Sequence, residues 1–257
     1  MKAWASGVGL WARGYPSARA WLAGEHDPSV EKPACAIVES RLLRATSVVT
    51  RVCIEAAAQA VHAARLDPAT AATVFGSWHG EIQIAFEQID VIRAGDGLVS
   101  PARFRNSVHN TASGVLGIAT GNRGFTTAIA AGPQTFAMVL CEALAMLASG
   151  APNVVVIVGD EPLPALLESV GEVGAMGVAI ALSRERPAEP LGLLTAPRAC
   201  SEALVAPPRT SPLSSTAGAV ALLEALSAGR TGMLPLVCDS QTDELWAVDL
   251  EPTRTQA

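Results

Sequence analysis

Two adjacent segments leave this chain little freedom. Residues from Pro133 to Ala148 are apolar almost all the way round a helix, and after the breaker Gly150 to Asn153 comes the run Val154 to Val158, also without a polar face. A helix apolar on every side belongs inside a protein, and a strand apolar on both faces must be covered on both. Just ahead of the helix, Thr126 to Pro133 reads as a strand running into a tight Ala/Gly corner. Such a corner is the layout that presents a nucleophile, yet its place for one holds Ile129. A hydrocarbon cannot attack an acyl group.

The rest of the chain alternates in the same way. Thr46 or Ser47 can cap a helix running to about Arg65, with a stripe of Val48, Val49, Val52, Ile54, Ala57, Ala60, Val61 and Ala64 stopped by Asp67-Pro68. Thr73 to Gly76 reads as a short buried strand, Gly80 to Arg93 as a second helix, and Ala94 to Gly97 as its terminating turn. Met1 to Ala12 suits a first strand, because glycines, Arg13 and Tyr15-Pro16 interrupt any signal-peptide pattern. Strands separated by helices imply α/β layers.

Composition excludes several functions. A chain of 257 residues, half of them hydrophobic and 16% charged, can bury a large core and is expected to form one domain. A formal charge of −6 without a Lys/Arg cluster offers no nucleic-acid footprint. No apolar run is long enough to span a membrane, and the expected location is the cytoplasm. Cys35, Cys53, Cys141, Cys200 and Cys238 are scattered without metal-ligand spacing, so they read as core thiols, and their odd number rules out a fully paired disulfide framework. Glycines 7, 9, 114, 117, 121 and 124 do not form a dinucleotide fingerprint. Surface or satisfied-core roles are the default for His26, His62, His79 and His109; neither His109 nor the Trp78-His79 pair shows a base with its orienting partner.

Four segments in order carry a resemblance. Ser100 to Gly114, with Asn110 and Ser113-Gly114, is followed by Gly117 to Gly124, then by the corner Thr127-Ala128-Ile129-Ala130-Ala131-Gly132, and later by Ser214-Ser215-Thr216-Ala217-Gly218 opening a helix that exits toward Pro235. This series resembles the β-ketoacyl synthases of the thiolase-like superfamily, most closely over residues 75 to 185. In that register Ile129 takes the position of the nucleophilic cysteine, Ser214 and Ser215 replace a Gly-His pair, and the region that would carry the second active-site histidine is contracted.

The resemblance implies an α/β, thiolase-like layered (α/β/α) fold, truncated relative to full ketosynthases. It divides a single domain, 1–257, into an N-terminal ketosynthase-like half (1–183), an irregular proline-rich linker (184–212) and a contracted remnant of the C-terminal half (213–257). It implies no catalytic residue, cofactor or metal. Condensation needs a thiolate and two imidazoles acting together, and removing one member of such a unit costs on the order of a millionfold in a serine protease.

What the resemblance implies instead is a silent, chain-length-factor-type subunit of the aryl polyene kind. It would pair with an active β-ketoacyl synthase, receive substrate on an acyl carrier protein and shape the acyl tunnel. His109, Asn110, Ile129, Ala130, Ala131, Phe136 and Met138 are the tunnel or interface candidates, and Arg103, Arg105 and Arg123 the candidate contacts to an acidic carrier. Two alternatives stay open: an acyltransferase or thiolase-like enzyme with a displaced nucleophile, Cys141 or Ser215, and a structural homodimer that binds acyl carrier protein.

Overall fold

The computed structural model describes residues 1–44, 46–95, 97–170, 173–238 and 244–253. The chain opens with β1 (Lys2–Ala12), the short helices α1 (Ala18–Ala23) and α2 (Ser40–Leu43), the long helix α3 (Val48–Ala63) and β2 (Ala72–Gly76). Next come α4 (Ile82–Ala94), α5 (Pro101–Arg105), α6 (Thr111–Thr120), β3 (Thr126–Ile129), α7 (Thr135–Ala148) and β4 (Asn153–Asp160). The last part holds β5 (Met176–Ser183), β6 (Gly192–Thr195), β7 (Arg198–Cys200), α8 (Thr216–Ser227), β8 (Gly232–Pro235) and β9 (Leu245–Glu251).

Among the described residues, nine strands form one mixed sheet in the order β3-β2-β4-β5-β1-β6-β9-β7, with β8 also paired to β9. The strands β3, β2 and β4 are parallel, and β5 runs antiparallel between β4 and β1. Successive side chains of a strand point to opposite faces, which explains the uninterrupted valines of β4. Val155 and Ile157 pack with Cys53 and Ile54 of α3 and Val115 of α6, whereas Val154, Val156 and Val158 pack with Leu140 of α7 and Leu222 of α8. Each of these strand side chains is at most 1% exposed, a burial that favours the fold by about 1.5–3 kcal/mol apiece.

Helix α3 begins where Ser47 Oγ accepts from the Thr50 amide, as the sequence predicts for one of its two cap candidates. It lies directly on the sheet because glycines face it: a Cβ on Gly9 would stand 2.1 Å from Ala56 O, and one on Gly177 2.2 Å from Val52 O. The helix expected over Gly80 to Arg93 is α4, and the all-apolar helix is α7, preceded by a 3-10 turn at Gly132–Gln134. No helix among the described residues is long and apolar enough to cross a membrane.

One segment differs from expectation. The stretch 184–212, read as an irregular linker, contains β6 and β7; β6 pairs with β1, and both pair with β9. Its prolines fall outside the two strands, Pro190 ahead of β6 and Pro197 between them, so no ladder N–H is removed. The three layers, with α3 and α6 on one face and α7 and α8 on the other, are those of the thiolase-like α/β/α arrangement.

Candidate functional site: the β3 corner and the Asp160 hub

Strand β3 is an edge strand, paired with β2 on one side. The corner after it is pinned from two directions. His109 Nε2 lies 2.9 Å from Ile129 O, which also accepts from Ser77 N; a carbonyl only accepts, so the imidazole carries its proton on Nε2. Thr135 Oγ1 accepts from Ala131 N at 3.0 Å and donates to Gly132 O at 2.7 Å, tying the corner to the first turn of α7. Gly132 takes φ +55, which a β-carbon would strain.

The sequence candidates divide sharply. Ile129 is half-buried against the main core, Ala131 is half-buried, and Ala130 is exposed. His109 does meet the corner, while Asn110 is an exposed residue at the start of α6. Met138 is half-buried on α7 and packs against the core. Phe136 is 2% exposed, and a Cβ on Gly218 of α8 would stand 3.0 Å from its ring, so it is an interior residue of the α7–α8 contact.

Behind the corner lies a hub that sequence reading missed. Asp160, at the end of β4, is 0% exposed and accepts six hydrogen bonds. Its Oδ1 receives Ser77 Oγ (2.7 Å), Trp78 N (3.0 Å) and His79 N (3.3 Å). Its Oδ2 receives Ser214 Oγ (2.9 Å), Ser215 N (2.7 Å) and Ser215 Oγ (2.7 Å). His79 reaches across to the same loop, with Nε2 3.1 Å from Leu213 O, and its ring stacks on Trp78. One carboxylate thereby fastens the loop after β2 to the start of α8.

Two more acids are buried beside it. Glu161 is 0% exposed and accepts from the amides of Val49 and Gln83 at the starts of α3 and α4, where helix dipoles favour a negative charge. Glu81, 4% exposed, accepts from Thr50 Oγ1 at 2.6 Å, and its second oxygen has no partner among the described residues. Burial pushes the Glu81 carboxyl up to about 7, opposed by hydrogen bonds from Ser47 and Thr50 and assisted by the Glu161 charge; burial also raises Glu161.

An acid held above its unfolded value of 4.5 binds its proton more tightly when folded. The fold keeps this benefit below about pH 4.5 and loses it as pH rises toward 7, a loss of roughly 3 kcal/mol when complete. Glu81→Gln, which mimics the protonated acid, is therefore expected to raise the urea midpoint at pH 8 and leave it nearly unchanged at pH 4.5. Equal shifts at both pH values would contradict this.

Neither displaced nucleophile has activating surroundings. Cys141 sits mid-way along α7 with its thiol pKa raised by burial, away from the thiolate form. Ser215 is 3% exposed and spends its hydroxyl proton on Asp160, without an imidazole partner among the described residues.

A family model for the β-ketoacyl synthase N-terminal domain matches residues 18–246. The chain belongs to this family. No curated protein matches it in sequence. Among solved structures, the ketosynthase-family fold seen here is similar to a chain of the ketosynthase ApeO in complex with its chain length factor ApeC from Xenorhabdus doucetiae, with TM-score 0.74 and 20% identity over 97% of this chain and 99% of that one. A chain of the ishigamide ketosynthase/chain length factor aligns with TM-score 0.74 and 12% identity over 97% and 99%. A chain of the AntDE:AntF complex, described as a type II polyketide synthase acyl-carrier protein with its ketosynthase bound to the hexaketide, aligns with TM-score 0.76 and 12% identity over 98% and 99%. At these identities the likeness is one of fold. The corner that ends β3 carries Ile129, and Ser215 points its hydroxyl into the hub.

Proposed function

We propose that this chain is a non-catalytic, chain-length-factor-like subunit that pairs with an active β-ketoacyl synthase and shapes its acyl tunnel in polyketide or fatty-acid-like biosynthesis of the aryl polyene type. The observation that carries this reading is a corner built as if for a nucleophile, braced by His109 and Thr135, that ends an open edge strand in Ile129. An open edge presents unpaired N–H and C=O groups that a second chain can satisfy. Phe125, just before β3, is 61% exposed, and Ile118 on α6, which packs beside β3, is 72% exposed; apolar surface of this kind marks partner contacts. The fold's likeness to chains from ketosynthase/chain-length-factor complexes supports the same reading.

On this reading the chain is one thiolase-like domain whose residues 213–257 are what remains of a longer C-terminal half, it works in the cytoplasm, and acyl carrier protein reaches it through the complex. Obligate interfaces of this type commonly bury over ~2,000 Å², so the chain is expected to be poorly soluble alone and soluble with its partner. The test is co-expression with a ketosynthase and carrier protein, followed by sizing and product analysis. A 1:1 complex that condenses malonyl units supports the proposal; a well-behaved monomer indifferent to the ketosynthase contradicts it, and a stable homodimer that binds carrier protein without altering products would replace it.

Tunnel shaping has its own readout. Ala130→Leu and Ala131→Leu add bulk at the corner without touching the core, unlike changes at Phe136, and are expected to shorten the product while turnover continues. An unchanged length distribution in both variants would remove the tunnel role and leave only bracing.

A further inference from the structure

A cavity of about 590 Å³ opens at the carboxyl end of β1, beside the amino ends of α3 and β5 and the loop that enters α8. Its volume lies in the range of small-molecule sites, and the carboxyl ends of strands in α/β sheets are where ligands collect. The lining pairs aromatic rings, Trp11, Tyr15 and Trp21, with a set of charges that reverses the sign of the whole chain: Arg13, Lys32, Arg51 and Arg209 against one carboxylate, Glu31, in a protein of net charge −6. The contact of Arg13 with Glu31, at 3.7 Å between exposed side chains, does little to neutralise it.

Arg209 is the feature that makes this more than a basic surface. Its guanidinium lies 4.0 Å from the Trp21 ring centroid and 4.8 Å from that of Tyr15, while Nη2 donates to Trp21 O at 3.3 Å. These contacts hold the guanidinium against both rings and leave other N–H donors without partners among the described residues. The backbone beneath it takes φ +68, a strained conformation for a side chain of this size. A guanidinium held in this way suits a carboxylate carrying an apolar body, because its fork donates to two oxygens at once and Tyr15, Val48 and Pro162 offer apolar surface beside it. Arg51 is already committed to Thr46 Oγ1 and Leu43 O, so Arg209, with Lys32 and Arg13 at the mouth, is the recognising group.

We propose that this cavity binds a small carboxylate with an apolar body, with Arg209 as its anchor. The cavity shares Ser214 with the Asp160 hub, but no residue of the β3 corner lines it, and it does not depend on the pairing proposed for that corner.

The test is calorimetric titration of the full chain, kept with its ketosynthase if it needs one to stay in solution, with the ketosynthase alone as blank. The probes are cinnamate, the uncharged cinnamyl alcohol and inorganic phosphate. Cinnamate is expected to bind saturably, with the alcohol about tenfold weaker or worse because the charged hydrogen bonds are lost. Phosphate should not compete at equal concentration. Arg209→Asn, a residue that tolerates positive φ, is expected to weaken cinnamate by a similar factor. Ala175→Phe, which narrows the cavity without removing a charge, should weaken it independently and serves if the first variant fails to fold. Absence of saturable binding, equal affinity for acid and alcohol, competition by phosphate alone, or undiminished binding in a folded variant would each overturn the proposal.

Discussion

Ala128→Pro is expected to abolish co-purification with the ketosynthase while leaving this chain folded. Thr73 N donates to Phe125 O and Ser77 N to Ile129 O, so residues 125, 127 and 129 turn their backbone groups toward β2. The groups of Thr126 and Ala128 therefore face the open side. Proline at 128 removes one outward N–H and places a ring in the path of an added strand, yet spares the ladder to β2; proline is tolerated on edge strands for this reason. Loss of the central pairing is expected to weaken association by at least ~100-fold. The measurement is the affinity of the purified variant for the ketosynthase, with circular dichroism as the control on folding. A variant that binds undiminished would show that partner contacts lie elsewhere.

Asp160→Ala is expected to have the largest effect on stability. It leaves six donors, from Ser77, Trp78, His79, Ser214 and Ser215, without their acceptor at a position that is 0% exposed. Breaking a buried, charge-centred network from one side costs about 3–5 kcal/mol, which for a chain of this size is a fall in melting temperature on the order of 10 °C. Asp160→Asn keeps one acceptor oxygen and should fall between. A melting temperature within a degree or two of the parent in the alanine variant would mean that water or another group serves those donors.

That hub also marks the boundary of what the sequence reveals. Local signals were strong where one segment decides its own fate: Ser47 caps α3, Gly150 to Asn153 ends α7, and the double-sided valines of β4 require two covering layers, which α3 and α7 supply. The strand and its corner were legible too: Thr126 to Ile129 forms β3 and the chain turns at Gly132. Asp160 was not, since its partners stand 81 to 83 and 54 to 55 residues away and only the sheet brings them together. In the resemblance Ser214 and Ser215 stand in place of a Gly-His pair; in the fold they donate to the carboxylate that holds α8 in place. Strands β6 and β7 escaped notice because they are four and three residues long among prolines, too short for period-two alternation to register. The signal for β9 was present in Leu245 to Glu251, where Val248 and Leu250 are buried and alternate with Asp249 and Glu251.

The acids around α3 and α4 brace the corner from behind. Glu161 and Asp160 are adjacent residues that serve different ends, one receiving helix amides and the other the loops on either side of the corner. Together they hold the loop after β2 and the starts of α3, α4 and α8 in place behind the corner. A subunit arranged in this way can line and brace a neighbouring active site.

The most direct measurement is made on the purified chain, separately and with its ketosynthase, incubated with an acyl-loaded carrier and malonyl-loaded carrier. Intact mass reports any acyl group transferred to the protein, and product analysis reports any new carbon–carbon bond. The account predicts that the chain alone keeps its mass and yields no condensed product, and that product appears only when the ketosynthase is present. An acyl adduct on the lone chain, or a condensed product made by it, would contradict the claim that its corner is preserved for shape and not for reaction.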